Sequence, residues 1–283
     1  MKEFGFLAPG DIGEALKLMA DYGDKATVLA GGTDLVPMIN NYDMKPQNLL
    51  YIGRLGLDYI KEEPGRLVIG AATTTGRLAV NDAVARLAPA LCQAAALSGS
   101  AGILNLATVG GNLVNASPAA DLACALLALG ADLHLASASN RRVVPIAEFF
   151  TGPGRTVRRP DELLVEIHVP LPQGPNVFLK LGRRKALTLS VVNAAVCLVM
   201  DGRTCRQARV AVGAVAPTPL RCRRAEEMLA GRPINGGMIA DCAARALAES
   251  SPIDDQRATA WYRKKAGTAL VARALAQLSG AGN

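Results

Sequence analysis

Leu29-Ala30-Gly31-Gly32-Thr33-Asp34-Leu35 and Thr108-Val109-Gly110-Gly111-Asn112-Leu113-Val114-Asn115 are the two stretches on which the reading of this chain turns. A short apolar strand, Ala26 to Ala30, enters the first, and a helix-like stretch to about Asn41 leaves it. Paired glycines reach backbone dihedrals that other residues avoid, so successive N–H groups can point into one hollow. A helix start adds unpaired N–H groups and a partial positive charge. Such a turn suits an anion of the pyrophosphate kind. The same residues also make an ordinary strand-to-helix turn with Thr33 as N-cap. Neither a GxGxxG fingerprint nor a Walker loop is present.

The second turn runs on into Ala116-Ser117-Pro118-Ala119-Ala120-Asp121. Ser117 as N-cap and Pro118 at the first helical position predict a helix from about Pro118 to Leu129. A capping box would need its acid at Ala120. Asp121 lies one position later, free to accept hydrogen bonds from a ligand hydroxyl such as a ribose. Its other reading is a solvated first-turn acid complementing the helix dipole. No charge occurs between Arg86 and Asp121, and the side chains there are mostly small. That lets backbone approach a large flat ligand closely. Two such turns suit the two ends or the middle of a dinucleotide.

Around these turns the periodicity predicts a helix over 11–22, with Ile12, Ala15, Leu16 and Met19 on one face. Strands follow at 26–30 and 49–52, which suggests a small α/β unit with parallel strands. Further strands are predicted at 67–70, 131–136, 142–146 and 163–169, and a helix at 82–96. Residues 98–117 read as a Gly/Ser/Asn-rich connection. Pro170, Pro172, Gly174 and Pro175 mark the best linker. Beyond it come strands at 178–181, 191–200 and 206–215, the last two joined by an Asp201-Gly202 hairpin turn. Helices are predicted at about 222–230, 237–249 and 257–278. The second domain therefore reads as a small antiparallel sheet followed by helices.

The chain has 283 residues, half of them hydrophobic, enough for about two domains and a core independent of metal or disulfides. Its N-terminus lacks an apolar signal segment. No apolar run is long enough to span a membrane, and a cytoplasmic protein is expected. Six cysteines, the closest pair eight apart, show no CxxC and read as buried small hydrophobes. This argues against an iron–sulfur cluster in this chain, and no metal site is expected. His134 and His168, each in a strand-like context, read as structural. Residues 1–175 carry 14 basic and 17 acidic residues, and residues 176–283 carry 17 and 7. Nucleic-acid binding would want aromatics among the arginines, and beyond Phe178 there are only Trp261 and Tyr262. The basic half, with Arg221, Arg223 and Arg224, is read as a solvated face or a surface for partner subunits or an anionic acceptor.

These residues resemble the FAD-binding subunit of the molybdenum hydroxylases, the xanthine dehydrogenase and carbon monoxide dehydrogenase family, and the likeness covers essentially the whole chain. Ala30-Gly31-Gly32-Thr33-Asp34-Leu35, Thr108-Val109-Gly110-Gly111-Asn112, Ser117-Pro118 with Asp121, Thr151-Gly152-Pro153-Gly154 and Pro160-Asp161-Glu162-Leu163-Leu164 carry it. Departures are Ile103-Leu104-Asn105, where many relatives have Ile-Arg-Asn, and Arg183-Arg184 leading to Ala186-Leu187-Thr188, where many have an Asp. The resemblance implies an α+β chain. Residues 1–172 would form an FAD-binding domain of the vanillyl-alcohol-oxidase-like (PCMH) type, in subdomains of about 1–55 and 56–172. Residues 176–283 would form the family's C-terminal domain.

By the same resemblance, Val28 to Leu35 wrap the FAD pyrophosphate through backbone N–H groups. Ala107, Thr108, Gly110, Gly111, Asn112, Val114 and Asn115 line the cofactor. Asp121 binds on the ribose or ribityl side, Leu164 packs on the flavin, and Lys180 lies near it from the C-terminal domain. For the last two, the residues themselves read as well as a core Leu and a solvated strand Lys. No catalytic residue is expected, because the chemistry belongs to the flavin. Implied partners are a molybdopterin-binding large subunit, which hydroxylates a purine- or N-heterocycle-like substrate, and a small subunit with two [2Fe-2S] clusters. NAD+ is the expected acceptor and a dimer of heterotrimers the expected assembly. Alternatives are a carbon monoxide dehydrogenase-type subunit with a quinone or cytochrome acceptor, and a flavin-free scaffold of the same fold.

Overall fold

Strand and helix alternate over the first fifty residues, and short connections of that kind place strands side by side. The computed structural model, which describes residues 3–171, 174–184 and 188–280, shows the result. It is a parallel three-stranded sheet in the order Gly5–Leu7, Asn48–Tyr51, Ala26–Leu29. Helix Ile12–Tyr22 starts where the Asp11 carboxylate accepts from Glu14 N at 2.9 Å. It buries Ala15, Leu16 and Met19, and Ile12 packs partly beside them, as its periodicity predicts.

A second sheet is antiparallel, in the order Ile60–Glu63, Arg66–Gly70, Leu163–Pro170, Asp132–Ala136, Arg141–Pro145. Helices Thr75–Val80, Asp82–Leu87, Pro89–Leu97 and Asp121–Leu129 accompany it, and the inward residues Leu67, Ile69, Leu133, Leu135 and Ile167 join their core. The predicted helix over 82–96 is two helices. Ala88 precedes Pro89 and leaves the helical region, at φ −139° and ψ 57°.

The third sheet is antiparallel: Asn176–Gly182, Ser190–Asp201, Thr204–Gly213 and Leu220–Arg221. Its central hairpin turns at Asp201-Gly202 as expected. One face, with Ala194, Val196, Val210 and Val212, packs in a core with helices Arg223–Leu229, Gly236–Ala248 and Ala260–Ser279. The other face, with Phe178, Ala195 and Ala211, joins the core of the second sheet. Burial on both faces explains why Val191–Leu198 lacks polar–apolar alternation. Every residue of helix Asp121–Leu129 is buried, because the helix lies between the second and third sheets.

That helix begins at Asp121 and not at Pro118. Ser117 Oγ accepts from Ala119 N at 3.3 Å and makes a local turn in place of a cap. Residues 98–117, expected as a connection, contain the short helices Ala101–Leu104 and Val109–Val114. In the Pro/Gly-rich joint, Pro170 closes a strand, while Pro172 lies outside the described residues, as do Ala186 and Leu187.

Candidate functional site

Strand Ala26–Leu29 delivers the chain into the first glycine pair. A Cβ at Gly31 would overlap the Leu106 carbonyl oxygen, so only a bare Cα allows this approach to the segment before the second pair. Gly32 sits at φ +71°, where L side chains are strained. Helix Leu35–Asn40 then starts at Asp34 with no side-chain cap, so Thr33 does not serve as the N-cap. Among the described residues, the backbone N–H groups of Gly31, Gly32, Thr33, Asp34 and Leu35 have no acceptor. Unpaired N–H groups of this kind are costly unless a solvent or ligand acceptor meets them. Five in succession at a glycine-rich turn are a chemistry that can receive a multiply charged anion. Val28, Leu29 and Ala30 beside it are half-buried.

The second pair is built differently. Thr75 N donates to Ala107 O at 2.8 Å, Val109 N to Thr73 O at 2.9 Å, and Gly110 N to Ala71 O at 2.9 Å. Thr108 Oγ1 caps helix Val109–Val114 by accepting from Gly111 N at 3.1 Å, and Asn112 N donates to Thr108 O at 2.9 Å. The N–H groups of Val109, Gly110, Gly111 and Asn112 are therefore used within the chain, so this glycine pair, unlike the first, presents no open donor. What the second turn contributes is close backbone packing and side chains. Asn112 Oδ1 is buried without a donor, an acceptor waiting for a partner. Val114 is half-buried. Asn115 Nδ2 donates to Asp34 Oδ2 at 3.1 Å and ties the two turns together. The turn ends at Ala116, φ +49°, whose carbonyl accepts from Gly154 N at 3.0 Å. The Gly152-Pro153-Gly154 loop is thereby brought alongside.

Asp121 and Lys180 are not solvated. Lys180 Nζ lies 2.6 Å from Asp121 Oδ2, with both side chains about one-twentieth exposed. Asp121 Oδ1 accepts from Ser190 Oγ at 2.6 Å and Asn193 Nδ2 at 2.7 Å, and Lys180 also donates to Leu97 O at 2.9 Å. The carboxylate is thus held by three side chains of the third sheet. Ser190 and Asn193 were not singled out from the sequence. Their signal was present: two polar residues at the start of a long apolar strand, Asn193 directly opposite Lys180 in the register. Leu164 is buried in the core beneath the second sheet, opposite Leu135.

Glu162, in the Pro160-Asp161-Glu162 motif, pins the start of the strand that carries Leu164. Its carboxylate accepts from Arg142 Nε at 2.7 Å, Arg142 Nη2 at 2.9 Å and Arg159 N at 2.7 Å. The Arg142 hydrogen bonds, aided by the Arg159 N–H, hold it below the usual carboxylate range. A depressed folded pKa gives stability that is present above the unfolded value and lost as pH falls through the folded one. Glu162→Gln is expected to cost about 2 kcal/mol at pH 7. Urea melts should show the gap to wild type narrowing as pH drops below ~4.

Arg221, one of the basic residues proposed to meet partners, is paired with Glu226. All six cysteines are free, and burial pushes the Cys242 thiol up to about 12. Among the described residues the one group able to hold a metal is His134, Glu166 and His168. No helix among the described residues is long and apolar enough to cross a membrane.

Residues 2–172 match the family described as the FAD binding domain in molybdopterin dehydrogenase, and residues 177–278 match the CO dehydrogenase flavoprotein C-terminal domain. The glyceraldehyde dehydrogenase medium chain of Sulfolobus acidocaldarius is 31% identical over 98% of this chain and 99% of that protein. The nicotinate dehydrogenase FAD-subunit of Eubacterium barkeri is 36% identical, covering 83% of this chain and 82% of its own length. Among solved structures, carbon monoxide dehydrogenase from Hydrogenophaga pseudoflava, in a form lacking the Mo-pyranopterin moiety of the molybdenum cofactor, superposes with a TM-score of 0.95. That chain is 32% identical and covers 99% of this chain and 98% of its own.

Proposed function

Since this chain belongs to the FAD-binding flavoprotein subunits of the molybdenum hydroxylase family, we propose that Val28–Leu35 hold the FAD pyrophosphate. The five open N–H groups from Gly31 to Leu35 carry this reading. Ala107, Thr108, Gly110, Gly111, Asn112, Val114 and Asn115 form the facing wall, with the orphaned Asn112 Oδ1 as an acceptor for a ligand donor. Asp121, Lys180 and Leu164 complete the proposed site from the interdomain side. When bound, FAD supplies electron uptake one at a time and release as a pair. The chain's own residues bind it, orient it and exclude water. Residues 1–172 and 176–283 are the proposed domains, and the cytoplasm the proposed location.

The test is reconstitution of the cofactor-stripped chain with FAD and, separately, with FMN, which lacks the pyrophosphate. One equivalent of FAD should bind, and FMN about a hundredfold more weakly, or ~2.7 kcal/mol. Equal affinities would remove the pyrophosphate from the argument. A chain that takes up neither would be a scaffold.

In the complete enzyme, electrons would arrive from two [2Fe-2S] clusters on a small subunit. A molybdopterin subunit would hydroxylate a purine- or N-heterocycle-like substrate, within a dimer of heterotrimers, and NAD+ would be the acceptor. Relatives named for glyceraldehyde, nicotinate and carbon monoxide share this kind of chain. That supports a substrate pocket on another subunit. The likeness to carbon monoxide dehydrogenase medium chains favours a second reading, with a quinone or cytochrome as acceptor. Steady-state assays of the complex with each acceptor separate the two.

A further inference from the structure

His134 and His168 are 34 positions apart in the sequence, yet the second sheet brings them into contact. Glu166 and His168 lie two apart on one strand and so share a face. The antiparallel register sets His134 opposite Glu166. The alternate residues Leu133, Leu135 and Ile167 are locked in the core below, so the backbone under the three side chains is fixed. One ring nitrogen from each imidazole and one Glu166 oxygen lie within 4.8 Å of one another. His168 Nε2 is 2.9 Å from Glu166 Oε2, and the two rings are tilted 30° to each other with centroids 3.6 Å apart. Tyr59 OH donates to the other carboxylate oxygen and orients it.

We propose that His134, Glu166 and His168 form a binding site for one divalent transition-metal ion, with zinc as the best match. Two imidazole nitrogens and one carboxylate oxygen are a donor set that zinc accepts, with a fourth position left to water. The imidazoles turn about a soft terminal torsion, which lets their ring nitrogens adjust toward one ion. The hydrogen bond from Tyr59 is the outer support that such carboxylate ligands use. The ion would clamp two central strands of the sheet. The site makes no use of the glycine turns, so it stands or falls independently of the flavin assignment.

The full chain, stripped with a chelator, is titrated with zinc and with cobalt(II). One equivalent of either should bind, with visible cobalt bands of a four- or five-coordinate nitrogen/oxygen site. His134→Gln and His168→Gln should each abolish the stoichiometric binding, and Tyr59→Phe should weaken it about tenfold. Far-ultraviolet circular dichroism checks that the variants remain folded. The wild-type cobalt spectrum is a second check that needs no variant. A near-ultraviolet thiolate charge-transfer band would put the ion on a cysteine and overturn the proposal. So would the absence of any stoichiometric binding, or binding undiminished in both histidine variants.

Discussion

Gly31→Ala is expected to leave the chain nearly free of FAD, with less than about a tenth of the wild-type flavin per protein. The new Cβ meets the Leu106 carbonyl oxygen and carbon and the Ala107 nitrogen, all backbone. Backbone cannot rotate aside as a flexible side chain can, so overlap must be relieved by moving one glycine turn away from the other. Overpacking of this kind costs about 1–3 kcal/mol, and a contact with no rotamer escape belongs at the upper end. At ~1.4 kcal/mol per tenfold, that weakens a ligand held between the turns by roughly a hundredfold. The measurement is the visible flavin absorption per protein after purification, with urea melts of the cofactor-free forms alongside. Gly102→Ala is the matched control, since a Cβ there meets nothing within 4 Å. It should keep its flavin. Full flavin retention in Gly31→Ala would mean that the two turns do not close on the cofactor together.

How much of this was legible in the sequence depends on whether local or long-range forces decide each element. The helix and two parallel strands over 11–52 and the Asp201-Gly202 hairpin are decided locally, by apolar periodicity and turn chemistry, and are legible in type, whereas strand Gly5–Leu7 is not. Helix Val109–Val114 is not either, because a Gly-Gly-Asn run has poor helix propensity. Tertiary bonds from Thr73 and Ala71 to its first turn, together with the Thr108 cap, hold it in place. Those same bonds remove the N–H groups that the glycine pair seemed to offer a ligand. Composition alone could not distinguish the first glycine pair, with open donors, from the second, whose donors are committed. Asp121 shows the same limit from the other side. Its place in the chain allows a solvated helix-start acid, and only the docking of the third sheet turns it into a buried carboxylate. The contact between His134 and His168 required the sheet register, which no local pattern encodes.

The Asp121–Lys180 pair should dominate stability among single polar substitutions, and its two halves should behave unequally. Asp121→Asn leaves the Lys180 ammonium buried without its counter-charge, with only neutral carbonyl oxygens, its own amide's and that of Leu97, to accept from it. An uncompensated buried charge of this sort costs about 3–5 kcal/mol. Lys180→Met is expected to cost less, about 1–2 kcal/mol, because the carboxylate keeps Ser190 Oγ and Asn193 Nδ2 and sits at the first turn of helix Asp121–Leu129. The double variant should be less destabilised than the two singles added together, with a coupling of at least ~1 kcal/mol. Urea unfolding of the four proteins closes the cycle. Additive costs, or a larger cost for Lys180→Met, would show that the pair is not what holds the third sheet against the buried helix. Flavin content of the folded Lys180→Met chain separates cofactor binding from stability. Loss of FAD at near-normal stability would place Lys180 on the cofactor, whereas full retention would leave it a strut between the two domains.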